Sequence, residues 1–275
     1  MSNDKGSLRK RDLQFDDRSA TRIWCEQPAP DNPYLAARCL CHGYDIVELA
    51  RKRSFVDVLF LLFIGELPTQ EQADLLETLM IAFINPGPRH PATRAAMNGG
   101  VGKTQAMHLL PIGLSVLGGS HLGGEEVLLS MKYLRKNRDR DARALARKIL
   151  RQPGSEEGNC HLIPGFGSRF GSIDPIPQQL ADLLAEMPAS GDALRWGGQV
   201  VEEIKPHGMG WLTTGITAAV LCDLGFSPLS GAGLFQIISA PGLLAHGLEF
   251  IDKPITSMPF LDENHYVISK QGKTR

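Results

Sequence analysis

Apolar residues recur at helical spacing along most of this chain, and two of the predicted helices carry clear start signals. Ser54 and Asp57 have the spacing of a capping box at the start of the apolar run 55–64. Thr69 and Gln72 form a second box of the same kind. The apolar residues that follow it share one helical face: Leu75, Leu76, Leu79, Met80 and Phe83. The pattern therefore predicts two successive helices, separated by a short turn that contains proline.

Helical spacing also dominates the rest of the chain, whereas the alternation expected of strands is scarce. Further helices are predicted at 107–117, within 122–151, near 178–186 and 193–205, and at 210–224 and 233–250. The segment from 153 to 177 is rich in Gly, Pro and Ser, which predicts a loop with short structured pieces. Residues 1–20 are polar and charged and are predicted to form a flexible tail. The sequence thus predicts an all-α fold.

Composition narrows the class of protein further. The 275 residues are 43% hydrophobic and 21% charged, as in a globular protein with a sizeable core. A net charge of -1 argues against a generally basic nucleic-acid binder. The charged first residues lack the apolar segment of a secretory signal, and no uninterrupted run of about 18 apolar residues predicts a membrane span. We therefore expect a cytoplasmic protein without nucleic-acid or membrane partners.

Segment 99–104 reads GGVGKT and superficially resembles a phosphate-binding loop. That loop has the pattern G-x-x-x-x-G-K-[ST], and the residue at its required first position is Met97 rather than glycine. No predicted strand precedes the segment either. A flexible helix–helix connection is therefore the better interpretation.

Cysteines and histidines in two separate parts of the chain, residues 39–42 and residues 160–161, are possible metal ligands. Cys39, Cys41 and His42, together with Cys160 and His161, offer thiolate and imidazole ligands. Their spacing lacks the C-x₂₋₄-C and H-x₃₋₅-H pattern of ordinary structural zinc sites, and free cysteines are often simply buried. The sequence therefore predicts no metal site.

A strongly basic stretch lies within the helical region 122–151. Residues 132–151 include nine Lys or Arg against two Asp. Two interpretations remain open at this point. The stretch is either a solvated helix face or an edge that faces phosphate or another anion.

Five longer motifs carry a resemblance to a known family. In chain order they read GYDIVELARKRSFVDVLFLLFIGELPT (43–69), GLSVLGGSHLGGEEV (113–127), IPGFGSRFGSIDP (163–175), AAVLCDLGFSP (218–228) and PGLLAHGLEF (241–250). In this combination the chain resembles the citrate synthase superfamily, and within it the short citryl-CoA lyase-like members. The resemblance covers nearly the whole chain after the predicted tail.

The resemblance implies a homodimer with the all-α, citrate synthase-like fold. A large helical domain would comprise residues 21–121 and 226–275, and a smaller helical domain, 122–225, would close over the site. The family's reaction joins or splits an acyl-CoA enolate and a keto acid. A coenzyme A thioester would therefore be a substrate, and no tightly bound cofactor is expected.

His121 stands at the histidine of the GGxHxGG motif, so the resemblance gives it the role of stabilising the enolate. A neutral imidazole N–H is a suitable donor to the thioester oxygen. The alternative is a histidine with a purely structural role in a glycine-rich helix junction. By the same resemblance, the turn formed by Pro164, Gly165, Phe166 and Gly167 would bind coenzyme A.

The family's second histidine follows this turn, and here the position holds Ser168. A serine hydroxyl can donate a hydrogen bond to a carbonyl but carries no positive charge. Arg169 is left to bind one carboxylate. Positions where the family has further arginines hold Ile176, Ser239 and Ser257, so most of the cationic clamp for oxaloacetate or citrate is missing. Because each lost charge-assisted pair costs about 1.5–3 kcal/mol, a tricarboxylate is expected to be a poor substrate.

The family's catalytic aspartate lies just ahead of the small-residue helix. Here that position is Gly210 or Trp211, and no carboxylate lies between Glu203 and Asp223. His207 is the nearby titratable side chain, with a pKa range suited to a general base. It is therefore the predicted replacement base.

The sequence thus favours an enzyme, an acyl-CoA-dependent carbon–carbon lyase or synthase (an acyltransferase in the synthetic direction) with a substrate other than citrate or oxaloacetate. Its partners would be an acyl-CoA and a small carbonyl or hydroxy-acid substrate. The alternative is a non-catalytic coenzyme A-binding paralogue or partner subunit. Ordinary citrate synthase or citryl-CoA lyase activity fits the predicted fold better than the predicted site.

Overall fold

The structure, a computed structural model, describes residues 19–151, 161–259, 261–262 and 264–266. Eleven α-helices and two small three-stranded sheets are found among these residues. The predicted all-α class is therefore confirmed. The chain divides into two compact units, residues 1–66 and 67–275.

The first unit contains a small antiparallel sheet and two helices. Its strands are β1 (Trp24–Pro28), β2 (Ala36–Cys41) and β3 (Tyr44–Asp45), and its helices are α1 (Ile46–Lys52) and α2 (Phe55–Ile64). Helix α2 begins with the predicted capping box and ends at Gly65, which has the left-handed conformation that favours glycine. Both predicted ends of this helix are confirmed.

The second unit holds the remaining elements. Its helices are α3 (Gln70–Ala82), α4 (Pro91–Val101), α5 (Ala106–Leu117), α6 (Gly124–Asn137), α7 (Ala142–Leu150), α8 (Pro175–Ala185), α9 (Asp192–Ile204), α10 (Thr213–Asp223) and α11 (Pro228–Ile251). Its sheet consists of β4 (His161–Ile163), β5 (Phe166–Gly167) and β6 (Gly210–Trp211), all antiparallel. The capping box predicted for α3 is present.

The two sheets are the part of the fold that the sequence pattern did not predict. Strands β3 to β6 have only two or three residues each, too few for an alternating pattern to emerge. Every residue of β1 is exposed, so that strand carries no alternation of buried and exposed positions at all. The sheets depend on pairing between segments rather than on local periodicity.

Helix α10 is almost entirely buried, as its small residues predicted. All eight positions from 214 to 221 are buried, and the helix packs against α6, α8 and α9. The long helix α11 packs against α4, α5 and α6. These two helices therefore form the core on which the second unit is assembled.

The GGVGKT segment contributes to packing. Residues 99–101 are the last residues of α4, so only residues 102–104 belong to the predicted helix–helix connection. Gly100 lies against α11 so closely that a Cβ atom there would be 2.4 Å from the carbonyl oxygen of Gly247. The Nζ atom of Lys103 donates to the carbonyl oxygens of Ile251, at 2.7 Å, and Lys253, at 2.8 Å. Its ammonium group thus satisfies carbonyls at the C-terminal end of α11.

The basic stretch is partly neutralised by a neighbouring helix. Arg147 pairs with Glu203 at 2.8 Å, and Arg143 pairs with Glu202. Both glutamates lie on α9, which packs against α7. These pairs favour the solvated helix face over an anion-binding edge.

Helix α11 is the one described helix that is long and apolar enough to cross a membrane, with a mean hydropathy of 1.4. Almost half of that stretch, 44%, is buried inside the structure. Such a match is weak evidence for a membrane span, because a core helix passes the same test.

Of the predicted tail, residues 1–18 lie outside the described residues. The predicted division into a domain of residues 21–121 with 226–275 and a domain of residues 122–225 stays a prediction. The same holds for the homodimer and for the cytoplasmic location.

Candidate active site

A cavity of about 230 Å³ lies in the second unit where the segment after α3 meets α8, α10 and α11. One part of its wall is polar and is formed by Asn85, His90, Arg169, Asp174, Thr213 and Ser239. The other part is mainly apolar and includes Phe83, Leu122, Ile176, Leu180 and Phe235. A second cavity of about 330 Å³ is larger, but among the predicted site positions it contacts only Trp211. The first cavity is therefore the candidate site.

His90 is buried in the wall of this cavity, with 5% of its surface exposed. Its Nδ1 atom accepts the backbone N–H of Ala92 at 3.1 Å and so caps the N-terminus of α4. Its Nε2 atom lies 3.3 Å from the carbonyl oxygen of Leu122. Because Nδ1 is an acceptor, the network assigns the proton to Nε2, which donates to that carbonyl.

The charge state of His90 follows from the same surroundings. Burial lowers the pKa of His90, and the nearby charges of Arg169 and His121 lower it further, although the bond to the Leu122 carbonyl acts in the opposite direction. His90 is therefore held neutral at pH 7. Arg169 lines the same cavity, whereas His121 does not line it but directly precedes Leu122, which does.

His121 lies in the glycine-rich connection between α5 and α6 and is exposed to solvent. The next residue, Leu122, adopts a left-handed conformation with a φ of 53°, and its side chain is buried against the cavity. Such a conformation costs a residue other than glycine about 1–3 kcal/mol and persists only when neighbouring groups hold it. The backbone at His121 is therefore fixed by its surroundings rather than by local preference.

Glu126 is one of the groups that hold this connection. Its side chain is buried, with 3% of the residue exposed, and its Oε2 atom accepts the N–H of Leu122 at 2.9 Å. Its Oε1 atom accepts the N–H of Gly165 at 3.3 Å. One carboxylate thus joins the His121 connection to the Pro164–Gly167 turn, 39 residues further along the chain.

The Pro164–Gly167 turn is itself pressed onto the start of α10. Gly165 has a φ of 85°, and a Cβ atom there would lie 2.5 Å from the Cα atom of Gly215. The N–H of Leu212 donates to the Gly165 carbonyl at 3.0 Å. Pro164 is partly exposed, whereas Gly165, Phe166 and Gly167 are buried. Coenzyme A would therefore have to contact this turn mainly through its outer surface.

Ser168 and Arg169 follow the turn but differ in their surroundings. Ser168 is 5% exposed, and its hydroxyl donates to the carbonyl oxygen of Ser172 at 2.8 Å. Arg169 lines the cavity with its guanidinium 5.6 Å from the centroid of the Phe170 ring. No carboxylate among the described residues forms an ion pair with Arg169. The arginine, and not the serine, borders the cavity.

The predicted base lies elsewhere on the surface of the second unit. His207 is exposed in a short 3₁₀ turn (Lys205–His207) and is not among the residues that line the cavity. Trp211 is buried, and the centroid of its ring lies 4.7 Å from the ring centroid of Phe166. The carboxylate of Asp223 accepts three backbone N–H groups at the start of α9, and Asp223 does not line the cavity.

The structure brings His121, Arg169 and the Pro164–Gly167 turn together, and it adds three residues that sequence reasoning missed: His90, Glu126 and Asp174. The carboxylate of Asp174 caps α8 by accepting the N–H of Ile176 at 3.2 Å and also lines the cavity. An Asp-Pro pair at a helix start was a visible signal for the cap. Nothing local indicated the roles of His90 or Glu126.

The possible metal ligands do not assemble into a site among the residues that the structure describes. No group of three His, Cys, Asp or Glu side chains there could hold a metal ion. Cys39 and Cys41 lie on β2 of the first unit. Cys160 lies outside the described residues.

Comparison with known proteins gives matches to part of the sequence and to the fold. Residues 34–151 match the family model for the citrate synthase C-terminal domain. A search of curated proteins found no match. The citryl-CoA lyase of Hydrogenobacter thermophilus superposes with a TM-score of 0.74 at 24% identity, over 94% of this chain and 96% of that chain.

Two further solved structures share the fold at lower identity. The ATP citrate lyase of Methanothrix soehngenii, in complex with citrate and coenzyme A, has a TM-score of 0.68 at 16% identity, over 94% of this chain but 44% of that chain. The citrate synthase of Thermoplasma acidophilum, in a ternary complex, has a TM-score of 0.58 at 18% identity, over 81% and 59% of the two chains. The matched segment is thus similar to the citrate synthase C-terminal domain, and the chain shares its fold with these citryl-CoA lyase, ATP citrate lyase and citrate synthase structures.

Proposed function

We propose that this chain makes or breaks a carbon–carbon bond between an acyl-CoA enolate and a small carbonyl compound at the cavity bordered by His90 and Arg169. One observation carries the proposal. The buried carboxylate of Glu126 joins the His121 connection to the Pro164–Gly167 turn beside that cavity. A site with no remaining chemistry has little need of a buried carboxylate that fixes two loops, since burial of a charge is costly.

The proposed reaction needs a base, an enolate donor and a group that binds the carbonyl partner. In the synthetic direction the base takes a proton from the α-carbon of the thioester. The electron pair left on that carbon forms the new bond to the carbonyl carbon, and the carbonyl oxygen takes up a proton. Cleavage is the reverse, with removal of the hydroxyl proton and protonation of the enolate. His121 would donate to the thioester oxygen as negative charge develops there.

Asp174 is a second candidate for the base, beside His207. It is the one carboxylate among the described residues that line the cavity, whereas His207 does not line it. The carboxylate has one oxygen engaged as the cap of α8. Its second oxygen carries the lone pairs that a general base needs.

Ser168 remains a candidate for polarising the carbonyl partner. Its hydroxyl already donates to the Ser172 carbonyl, so it would have to exchange that bond for one to the substrate. Coenzyme A would act as a thioester substrate at the turn of Pro164 to Gly167, without a tightly bound cofactor. A homodimer is also part of the proposal, and sedimentation of the purified chain would test it.

The proposed function can be tested without knowing the carbonyl partner. Acetyl-CoA is incubated with the protein in D₂O, with and without a panel of small 2-oxo acids, and deuterium in the acetyl group is read by mass spectrometry. We expect exchange that falls by about 100-fold in His121→Ala, in line with the loss of an oxyanion donor. His108→Ala is the matched control, because His108 is also exposed on the neighbouring helix α5.

The same assay separates the two candidate bases. Asp174→Asn keeps a residue that caps a helix as well as aspartate does, so the fold is retained while proton transfer is lost. We expect exchange to fall by about 100-fold or more in Asp174→Asn and to persist in His207→Asn. The opposite result would make His207 the base, as the sequence predicted.

A non-catalytic coenzyme A-binding protein is the second candidate. The engaged hydroxyl of Ser168 and the buried ring of Trp211 favour it, since the resemblance places the family's aspartate at Gly210 or Trp211. Incubation with citryl-CoA discriminates further. Absence of deuterium exchange in every mixture, together with unchanged citryl-CoA and measurable coenzyme A binding, would support this alternative. Formation of acetyl-CoA from citryl-CoA would instead show that the family's reaction persists.

A further inference from the structure

We propose that the cavity bordered by His90 and Arg169 binds a small monocarboxylate whose remaining part is apolar, such as a 2-oxo acid with a short alkyl chain. The inference deepens the proposed function and rests on it, because it assigns this cavity to the carbonyl partner. Three properties of the wall carry it: the number of its charges, the nature of its apolar part and its size.

The charges of the wall allow one anionic group. Arg169 is the one Lys or Arg side chain among the described residues that line the cavity. His90 adds no positive charge, since both its ring nitrogens are engaged and the ring is neutral. Asp174 contributes a carboxylate. A second carboxylate on the ligand would therefore meet a like charge, a neutral polar side chain or an apolar wall, without a cation to pair with.

The wall has a suitable partner for one carboxylate and little that competes with it. Arg169 presents a planar guanidinium, which binds a carboxylate through two parallel hydrogen bonds. It forms no ion pair within the described part of the chain. Ser239 is 1% exposed and lines the cavity, and its hydroxyl lies 3.4 Å from the Phe83 carbonyl, a long distance for an O–H donor. Its hydroxyl is therefore available to a ligand.

The apolar part of the wall is deep rather than superficial. Phe83, Leu122 and Phe235 are exposed by 6%, 2% and 4%, respectively, and all three line the cavity. A short alkyl group would be removed from water against these side chains, which is favourable in proportion to the apolar area buried. A hydrated carboxylate in the same place would lose its water without compensation.

The size of the cavity limits the ligand. At about 230 Å³ it is smaller than the sites of drug-sized ligands, which measure about 300–1,000 Å³. It suits a small acid and excludes the nucleotide part of coenzyme A. The acid would thus occupy the cavity while the thioester approaches from the side of His121.

The inference is tested by equilibrium binding, which does not require turnover. Calorimetric titrations of the full chain with 3-methyl-2-oxobutanoate, oxaloacetate and citrate compare one, two and three carboxylates. 3-Methyl-2-butanone, which lacks the carboxylate, is the fourth probe. We expect 3-methyl-2-oxobutanoate to bind at least about tenfold more tightly than each of the other three.

Variants assign this binding to the cavity. Arg169→Met should weaken binding of 3-methyl-2-oxobutanoate by about tenfold or more. The matched control, Arg94→Gln, changes an exposed arginine on α4 and should leave it unchanged. Ser239→Lys adds a second cation to the wall and should shift the preference toward oxaloacetate, after a melting curve has shown that the variant folds.

Several outcomes would overturn the inference. Oxaloacetate or citrate binding as tightly as the monocarboxylate would contradict the charge analysis. Binding that is insensitive to Arg169→Met would place the acid elsewhere, and no binding of any acid at millimolar concentration would remove the site. Acid binding without deuterium exchange from acetyl-CoA would leave this inference standing and count against the proposed function. Deuterium exchange from acetyl-CoA without preferential binding of the monocarboxylate would support the proposed function and contradict this inference.

Discussion

Two glycine-rich connections follow one another in the chain, and the structure uses them in opposite ways. The GGVGKT segment, which forms the end of α4 and the start of its connection to α5, is filled by packing, with Gly100 against Gly247 and the Lys103 ammonium on the end of α11. The GGSHLGG segment between α5 and α6 borders a cavity and contains a strained leucine held by Glu126. Glycine content is similar in both, so it does not by itself mark a ligand site.

The two segments differ in how much stability their local structure costs the folded chain. At Leu122 a residue other than glycine adopts a left-handed conformation, and a buried carboxylate is committed to its N–H. Strain and buried charge both lower stability unless other groups compensate. At Gly100 the close contact simply improves packing. Function is therefore better indicated by features that stability alone would not select.

The largest expected effect tests the packed connection. Gly100→Ala places a Cβ atom 2.4 Å from the Gly247 carbonyl oxygen, and backbone cannot move aside cheaply. We expect the free energy of unfolding to fall by about 3 kcal/mol, measured by chemical denaturation.

Gly233→Ala provides the matched control for this change. Gly233 lies within α11, and a Cβ atom at this position would have no neighbouring atom within 4 Å, so alanine should stabilise the helix by about 0.5–1 kcal/mol. Equal stabilities for the two variants would mean that α4 and α11 do not approach each other as closely as described.

The next effect tests the connection beside the cavity. Glu126→Gln keeps the size of the side chain but replaces one acceptor oxygen by an NH₂ donor, which then faces a backbone N–H. We expect a loss of about 2 kcal/mol in the free energy of unfolding together with slower deuterium exchange from acetyl-CoA. Chemical denaturation and the exchange assay measure the two effects.

Glu125→Gln is the control for Glu126→Gln, because Glu125 lies in the same first turn of α6 and is exposed. It should change neither quantity appreciably. If Glu126→Gln lowered stability but left exchange intact, Glu126 would serve the fold alone.

A smaller effect separates packing from phosphate binding at Lys103. Lys103→Met keeps the apolar stem but removes two hydrogen bonds to the end of α11. We expect a decrease in Tm of about 2–4 °C, by differential scanning calorimetry, with unchanged affinity for coenzyme A. Lys132→Met, on the exposed side of α6, is the control. A marked loss of coenzyme A affinity in Lys103→Met alone would restore the phosphate-loop interpretation.

The smallest effect concerns pH and His90. Because burial lowers the pKa of His90 in the folded chain, the unfolded chain binds an additional proton below its ordinary pKa of 6.5. The free energy of unfolding should therefore decrease as pH falls through that value, and this loss ends below the lowered pKa of the folded state. The substitution His90→Asn keeps a capping oxygen for α4 but removes the titrating group.

Melting curves between neutral and mildly acidic pH measure the difference. His90→Asn should lose less stability on acidification than the parent chain, and His108→Asn, on the exposed part of α5, should behave like the parent. Identical pH dependence in all three proteins would contradict the neutral, buried state of His90.

Local chemistry explains which parts of the fold the sequence predicted. The capping boxes at Ser54 and Thr69 depend on residues three positions apart, so they can be recognised before any tertiary contact is known. The two sheets depend on pairing between short segments, and only their assembly in the structure shows them. The fold class was thus predictable, whereas the strands were not.

The candidate site divides in the same way. His121 and Arg169 each belong to a sequence motif; Arg169 lines the cavity, and His121 directly precedes Leu122, which also lines it. The role of His90 was not predictable from the sequence, because imidazole is an unusual helix cap and its second partner, Leu122, is 32 residues away. In the sequence Glu126 is simply the second of two adjacent glutamates, and its bond to Gly165 cannot be inferred from the neighbouring residues.

The packing of Trp211 has a consequence for how this chain can evolve. The indole lies so close to Gly197 that a Cβ atom there would be 2.0 Å from Cη2, and the ring also stacks beside Phe166. Replacing Trp211 by aspartate would open a void and bury an unpaired charge at the same step. A larger residue at Gly197 could fill that void, but it would clash with the indole as long as Trp211 is present. Positions 197 and 211 would therefore have to change together, which makes an aspartate at position 211 hard to reach by single substitutions.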